Sequence, residues 1–101
     1  MTAVEPRFDE IIHAPLRLRI CGLLRPVDAL AFRTLSETLD LQPTQLSKHL
    51  KALADAGYVS VTKTASPERV DARRVAWVKL TRSGRHALDQ HIAMLRQITG
   101  E

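Results

Sequence analysis

A mainly α fold with one small β-hairpin is predicted by three features of this chain. Leu46, Leu50, Leu53 and Ala54 recur at helical spacing. Tyr58 to Lys63 and Val75 to Leu80 alternate apolar and polar residues with the two-residue period of half-buried strands. Ala65 to Arg74 lies between them and carries Pro67, three arginines and no periodicity, so it reads as the connecting loop. With 101 residues, the chain is expected to form one domain over 1–101, with a modest core and no separate catalytic or effector domain.

Each element has its own local signals. Pro15 can open a helix because its missing N–H costs nothing at the first helical position. Leu16, Ile20, Leu23 and Leu24 form its apolar stripe, Pro26 ends it, and Phe8, Ile11 and Ile12 extend the apolar surface before it. Thr34-Leu35-Ser36-Glu37 has the form of a capping box, predicting a helix of about two turns that Thr34 caps and that buries Leu35 and Leu39. Only Asp40, Leu41 and Gln42 separate it from the next helix, which Pro43 opens and Gly57 stops. Thr81 is the expected cap of a last helix reaching about Ile98, with Leu88, Ile92 and Leu95 along one side.

Two helices joined by so short a turn form a helix-turn-helix unit, and strand, basic loop and strand directly after it make a wing. The face of the second helix opposite its leucines collects Thr44, Lys48, Lys51 and Asp55, flanked by Gln45 and Ser47. Taken alone, such a face is ordinary solvated surface. The charge distribution gives it meaning. Residues 42–86 hold nine Lys and Arg against three acidic residues, a balance of +6, whereas 1–41 and 87–101 each come to −1 within an overall +4. Positive charge gathers on the helix-and-wing segment, as a phosphate-binding surface requires.

The run LSKHLKALADAGYV (Leu46 to Val59), followed after the wing by WVKLTRSGRHAL (Trp77 to Leu88), resembles winged helix-turn-helix transcriptional regulators of the MarR and ArsR type. It is closest to a small single-domain bacterial subgroup whose opening helix His13 to Ile20 also resembles. The likeness spans roughly Phe8 to Leu95. Two departures stand out: Gln42 occupies the position of the usual Ser or Thr cap, and the wing reads Ser-Pro-Glu-Arg-Val-Asp instead of being glycine-rich. The resemblance implies a three-helix core, a two-stranded wing and an additional C-terminal helix, acting on double-stranded DNA as a homodimeric regulator, most simply a repressor at a pseudo-palindromic operator.

Site residues follow from that geometry as expectations. Thr44, Gln45, Ser47 and Lys48 lie in the half of the recognition helix that enters the groove deepest and are assigned to base edges and nearby phosphate. His49 and Lys51 are assigned to phosphate, and Arg69, Arg73 and Arg74 to the minor groove or backbone from the wing. Apolar stripes at both termini, Phe8 and Ile12 with Leu88, Ile92 and Leu95, are assigned to a dimer interface; the competing reading packs the terminal helices on their own domain.

Other functions leave less trace. No phosphate loop, paired catalytic carboxylates or nucleophile motif is present, so an enzyme is not expected. Cys21 sits in an apolar pattern and reads as a small core residue. An ArsR-like metal sensor remains an alternative because Asp89-Gln90-His91 resembles the start of a last-helix site. There is no cysteine pair, however, and His86 and His91 are five apart and do not share a helix face, so both are expected to be solvated and no metal or other cofactor is expected. A winged helix that binds protein in place of DNA is the other alternative. The N-terminal residues mix charged with apolar side chains, no signal peptide or membrane span is read, and a cytoplasmic location is expected. Any small-molecule effector is left unassigned.

Overall fold

The computed structural model describes residues 4–65 and 74–100. Among them the elements run α1 (Glu10–His13), α2 (Pro15–Leu24), β1 (Leu30–Ala31), α3 (Phe32–Leu39), α4 (Pro43–Asp55), β2 (Val59–Ala65), β3 (Arg74–Leu80) and α5 (Arg82–Ile98). The mainly helical architecture and the hairpin are as expected. The hairpin is longer than predicted and takes in Thr64, Ala65 and Arg74.

Ala14 lies at ψ 128° between α1 and α2, and the break follows from the next residue, because proline disfavours helical geometry in its predecessor. The expected opening helix from His13 is therefore two pieces. The Asp9 carboxylate caps α1 by accepting the Ile12 N–H at 3.0 Å, and Pro15 starts α2.

The start of α3 differs from expectation. The helix begins at Phe32, so Thr34 lies inside it and the predicted capping box does not form. Residues Leu30 and Ala31 pair antiparallel with Val78 and Trp77, making a third strand in the order β1-β3-β2. That pairing delivers the chain directly into the helix three residues early, with Ala31 in the cap position. Glu37 turns instead to Arg33, forming an exposed i,i+4 ion pair at 2.9 Å that contributes little stability.

The turn to α4 is tight because Asp40 adopts a left-handed conformation (φ 52°), which Asp tolerates better than most residues. The Leu41 N–H then returns to the Ser36 carbonyl at 3.0 Å, and the Ser36 hydroxyl donates to the Leu41 carbonyl at 2.6 Å. At the far end of α4 Gly57 takes φ 82°, and the Tyr58 N–H reaches the Leu53 carbonyl at 2.9 Å, the glycine stop that the sequence signalled.

One core joins all the helices to the sheet. It includes Ile20, Cys21 and Leu24 of α2, Leu35 and Leu39 of α3, Leu46, Leu50 and Leu53 of α4, and Val59, Val78 and Leu80 of the sheet. Ala54 is exposed, on the flank of the α4 stripe and not within it. Ile12 and Leu88 are fully buried in this same core, which corrects their assignment to a dimer interface: their apolar surface is already spent inside the subunit. His91 is also fully buried, whereas His86 is exposed, so the expectation of two solvated histidines holds for His86 alone.

Candidate nucleic-acid interface

The recognition helix α4 is seated by its leucines and presents Thr44, Gln45, Ser47, Lys48 and Lys51 to solvent, while His49 is half-buried beside the core stripe. All six residues predicted for this helix therefore lie where a duplex could reach them or at the edge of that surface. Two have further commitments. The Gln45 side-chain carbonyl accepts the Gln42 N–H at 3.2 Å, so the glutamine that replaces the usual cap is backed by its third neighbour. The amide NH2 of Gln45 is the group left to read a base, as a donor. Lys51 is shared with Asp55 at 2.9 Å, an exposed pair that a phosphate can displace at small cost. Lys48 is exposed and forms no ion pair among the described residues.

On the wing, Arg74 is the first residue of β3, paired with Ala65, while Arg69 and Arg73 lie outside the described residues. Lys63 is an exposed cation on β2. Leu50, Ala54, Val61 and Ala76 line a groove between α4 and the hairpin, together with Lys51 and Lys63. Ala54 thus faces the wing, and its small side chain leaves that space open.

The position of the helix relative to the wing is set by the start of α5. The Thr81 N–H donates to the Tyr58 carbonyl at 2.9 Å, and the Thr81 hydroxyl donates to the Gly57 carbonyl at 2.6 Å. That hydroxyl also accepts the Gly84 N–H at 2.9 Å, capping α5 as predicted. Gly84 packs so tightly that a Cβ there would stand 2.1 Å from the Tyr58 carbonyl oxygen. Sequence reasoning found the cap at Thr81 but missed Gly84, since nothing local marks a glycine as a site of close approach.

The residues of the metal-sensor alternative have other partners. Arg25 holds both Asp89 oxygens at 3.0 and 3.1 Å, and His91 is engaged within the core at both ring nitrogens. Among the described residues, no cluster of three or more His, Cys, Asp or Glu is arranged to hold a metal ion, and no helix is long and apolar enough to cross a membrane.

A family model described as a winged helix DNA-binding domain matches residues 16–99. The chain belongs to this family. An uncharacterized protein of Methanocaldococcus jannaschii is 30% identical to this winged-helix protein over 90 residues, covering 89% of this chain and 94% of the relative. A transcriptional regulator homologue from Pyrococcus horikoshii OT3 superposes with a TM-score of 0.81 at 25% identity, over 91% of this chain and 87% of that one. A MarR variant from E. coli, solved with operator DNA, has a TM-score of 0.66 at 20% identity over 86% of this chain and 58% of its own, a likeness of fold. The winged-helix protein thus belongs to a DNA-binding family and shares its fold with the regulator homologue and the MarR variant.

Proposed function

We propose that this winged-helix protein is a sequence-specific repressor that binds a pseudo-palindromic operator as a homodimer, with Thr44, Gln45, Ser47 and Lys48 at the bases and adjacent phosphates. The observation that carries this reading is the unbroken polar surface at the N-terminal half of α4, set beside a basic wing by the Thr81 and Gly84 junction. His49 and Lys51 extend the phosphate surface along the helix and Lys63 extends it along the hairpin, and Arg69, Arg73 and Arg74 of the wing segment are proposed as further phosphate or minor-groove ligands. That a MarR variant of similar fold was solved with operator DNA supports a DNA-binding role.

Selection from random DNA followed by footprinting tests specificity. Two substitutions separate the roles. Gln45→Ala is expected to weaken the selected operator by about 1–3 kcal/mol and to relax one base position. Lys48→Ala is expected to weaken all sequences more evenly and to lower the slope of log affinity against log salt by about one unit. Equal losses on operator and random DNA for Gln45→Ala would remove that residue from base reading. Absence of any salt-dependent binding to duplex DNA would favour a protein-binding winged helix.

The dimer surface supported by the burial pattern differs from the predicted one. Phe8 is 41% and Ile98 65% exposed, and Ile92 and Leu95 are half-buried along α5, leaving an apolar strip at the termini once Ile12 and Leu88 are excluded. Leu95→Asp combined with Ile98→Asp is expected to give a folded monomer by light scattering, since carboxylates buried without partners oppose association. An unchanged dimer mass would place the interface elsewhere.

A further inference from the structure

Residues 7–9 form a strap across α5. The Arg7 N–H donates to the Gln90 carbonyl at 3.0 Å, and the Asp9 N–H donates to Nδ1 of His91, also at 3.0 Å. Nε2 of His91 lies 3.2 Å from Nδ1 of His13. A backbone N–H can only donate, so His91 Nδ1 accepts, its proton sits on Nε2, and His13 Nδ1 accepts in turn. The chain of bonds thus requires both imidazoles to be neutral. Phe8 closes over the pair, with its ring centroid 4.6 Å from that of His13 and 4.9 Å from that of His91. The Asp9 carboxylate meanwhile accepts from the Tyr58 hydroxyl, immediately after the recognition helix and beside the Thr81 junction.

The geometry points to a proton-operated latch: uptake of a proton by His91 breaks the Asp9–His91 bond, releases the strap from α5 and withdraws Asp9 from Tyr58 at the end of the recognition helix. A protonated His91 would place an N–H against the Asp9 N–H, and the ring is fully buried. The charged and titratable groups acting on His91 are His13 on α1 and Asp9 on the strap; Asp9 in turn acts on Tyr58 after α4 and on Cys21 of α2, with Arg7 close to Tyr58 and Arg17 close to Cys21. On α5 itself Asp89 is held by Arg25.

Burial, reinforced by His13 and opposed by the Asp9 carboxylate, lowers the His91 pKa from its ordinary 6.5. Because the folded value is depressed, the closed latch is fully stable above about 6.5 and loses stability as pH falls from there through the folded value. This device lies outside the DNA surface and is tested on the free protein.

An NMR titration from about pH 8 to about pH 5 reads it. The Asp9 and Tyr58 amides are expected to shift with the same midpoint as the His91 imidazole, below 6.5, and exchange of the Asp9 amide is expected to quicken at least about tenfold beyond its intrinsic pH trend as the latch opens. His91→Gln keeps an acceptor that does not titrate and should abolish the transition. His13→Gln keeps an acceptor for the His91 N–H, so the coupled transition of His91 and the Asp9 amide should persist. Titration of His91 with the Asp9 amide unmoved would overturn the latch, as would an unaltered transition in His91→Gln. Should His91→Gln fail to fold, an Asp9 amide that no longer follows the His91 midpoint in His13→Gln is sufficient to reject it.

Discussion

Leu88→Asp is expected to unfold the subunit and not merely to dissociate a dimer. Leu88 is fully buried where α5 meets the core of α1, α2 and the sheet. Removing a buried leucine costs about 2–5 kcal/mol, and a carboxylate in its place adds the cost of burying a charge without a partner. A loss of at least about 4 kcal/mol is a large share of the stability of a domain of this size, about 5–15 kcal/mol, and exhausts it when the further cost of the buried charge is added at the lower end of that range. Far-UV circular dichroism and urea titration measure it. A folded monomer would show that α5 is held less firmly than its burial implies and would return Leu88 to the interface.

Gly84→Ala is expected to destabilise the protein by about 3 kcal/mol or more, at the upper end of the range for overpacking. The added carbon would strike the Tyr58 carbonyl oxygen at 2.1 Å and the Leu80 side chain at 2.9 Å. The first of these is backbone, bonded to Thr81, and cannot swing aside as a side chain would. The wing would have to move off the end of α4, so operator affinity should fall even under conditions where the variant remains folded. Gly22→Ala is the control: nothing lies within 4 Å of its new carbon, it is exposed in α2, and alanine's better helix propensity should raise stability by up to about 1 kcal/mol. Similar urea midpoints for the two variants would refute the close approach at Gly84.

The polar face of α4 was legible because its causes are local. Pro43, the leucine spacing and Gly57 act within a few residues of themselves, and the residues opposite the leucines are exposed whatever the rest of the chain does. The commitment of the Gln45 carbonyl to its own helix start was less legible. Gln42 looked like a missing cap, and the structure restores the function through a side chain three residues on. The junction at Gly84 was not legible, since close approach depends on where Tyr58 arrives.

The same division runs through the whole molecule. The sequence by itself determined the helices of the DNA-binding unit, the strands of the hairpin, the cap at Thr81, the buried Cys21 and the concentration of positive charge on helix and wing, because periodicity, caps and charge are properties of neighbours along the chain. Only the tertiary structure decided that Leu30 and Ala31 form a strand, since two residues have no period and become one only when Val78 and Trp77 lie alongside. It also decided which apolar and titratable groups lie inside. The stripes containing Ile12 and Leu88 look the same in sequence whether they meet a second subunit or their own core, and His91 looks solvated until Asp9 and His13, 82 and 78 residues away in the chain, close over it. Burial is a property of what packs from elsewhere, and that information is not carried by the spacing of residues within any one segment.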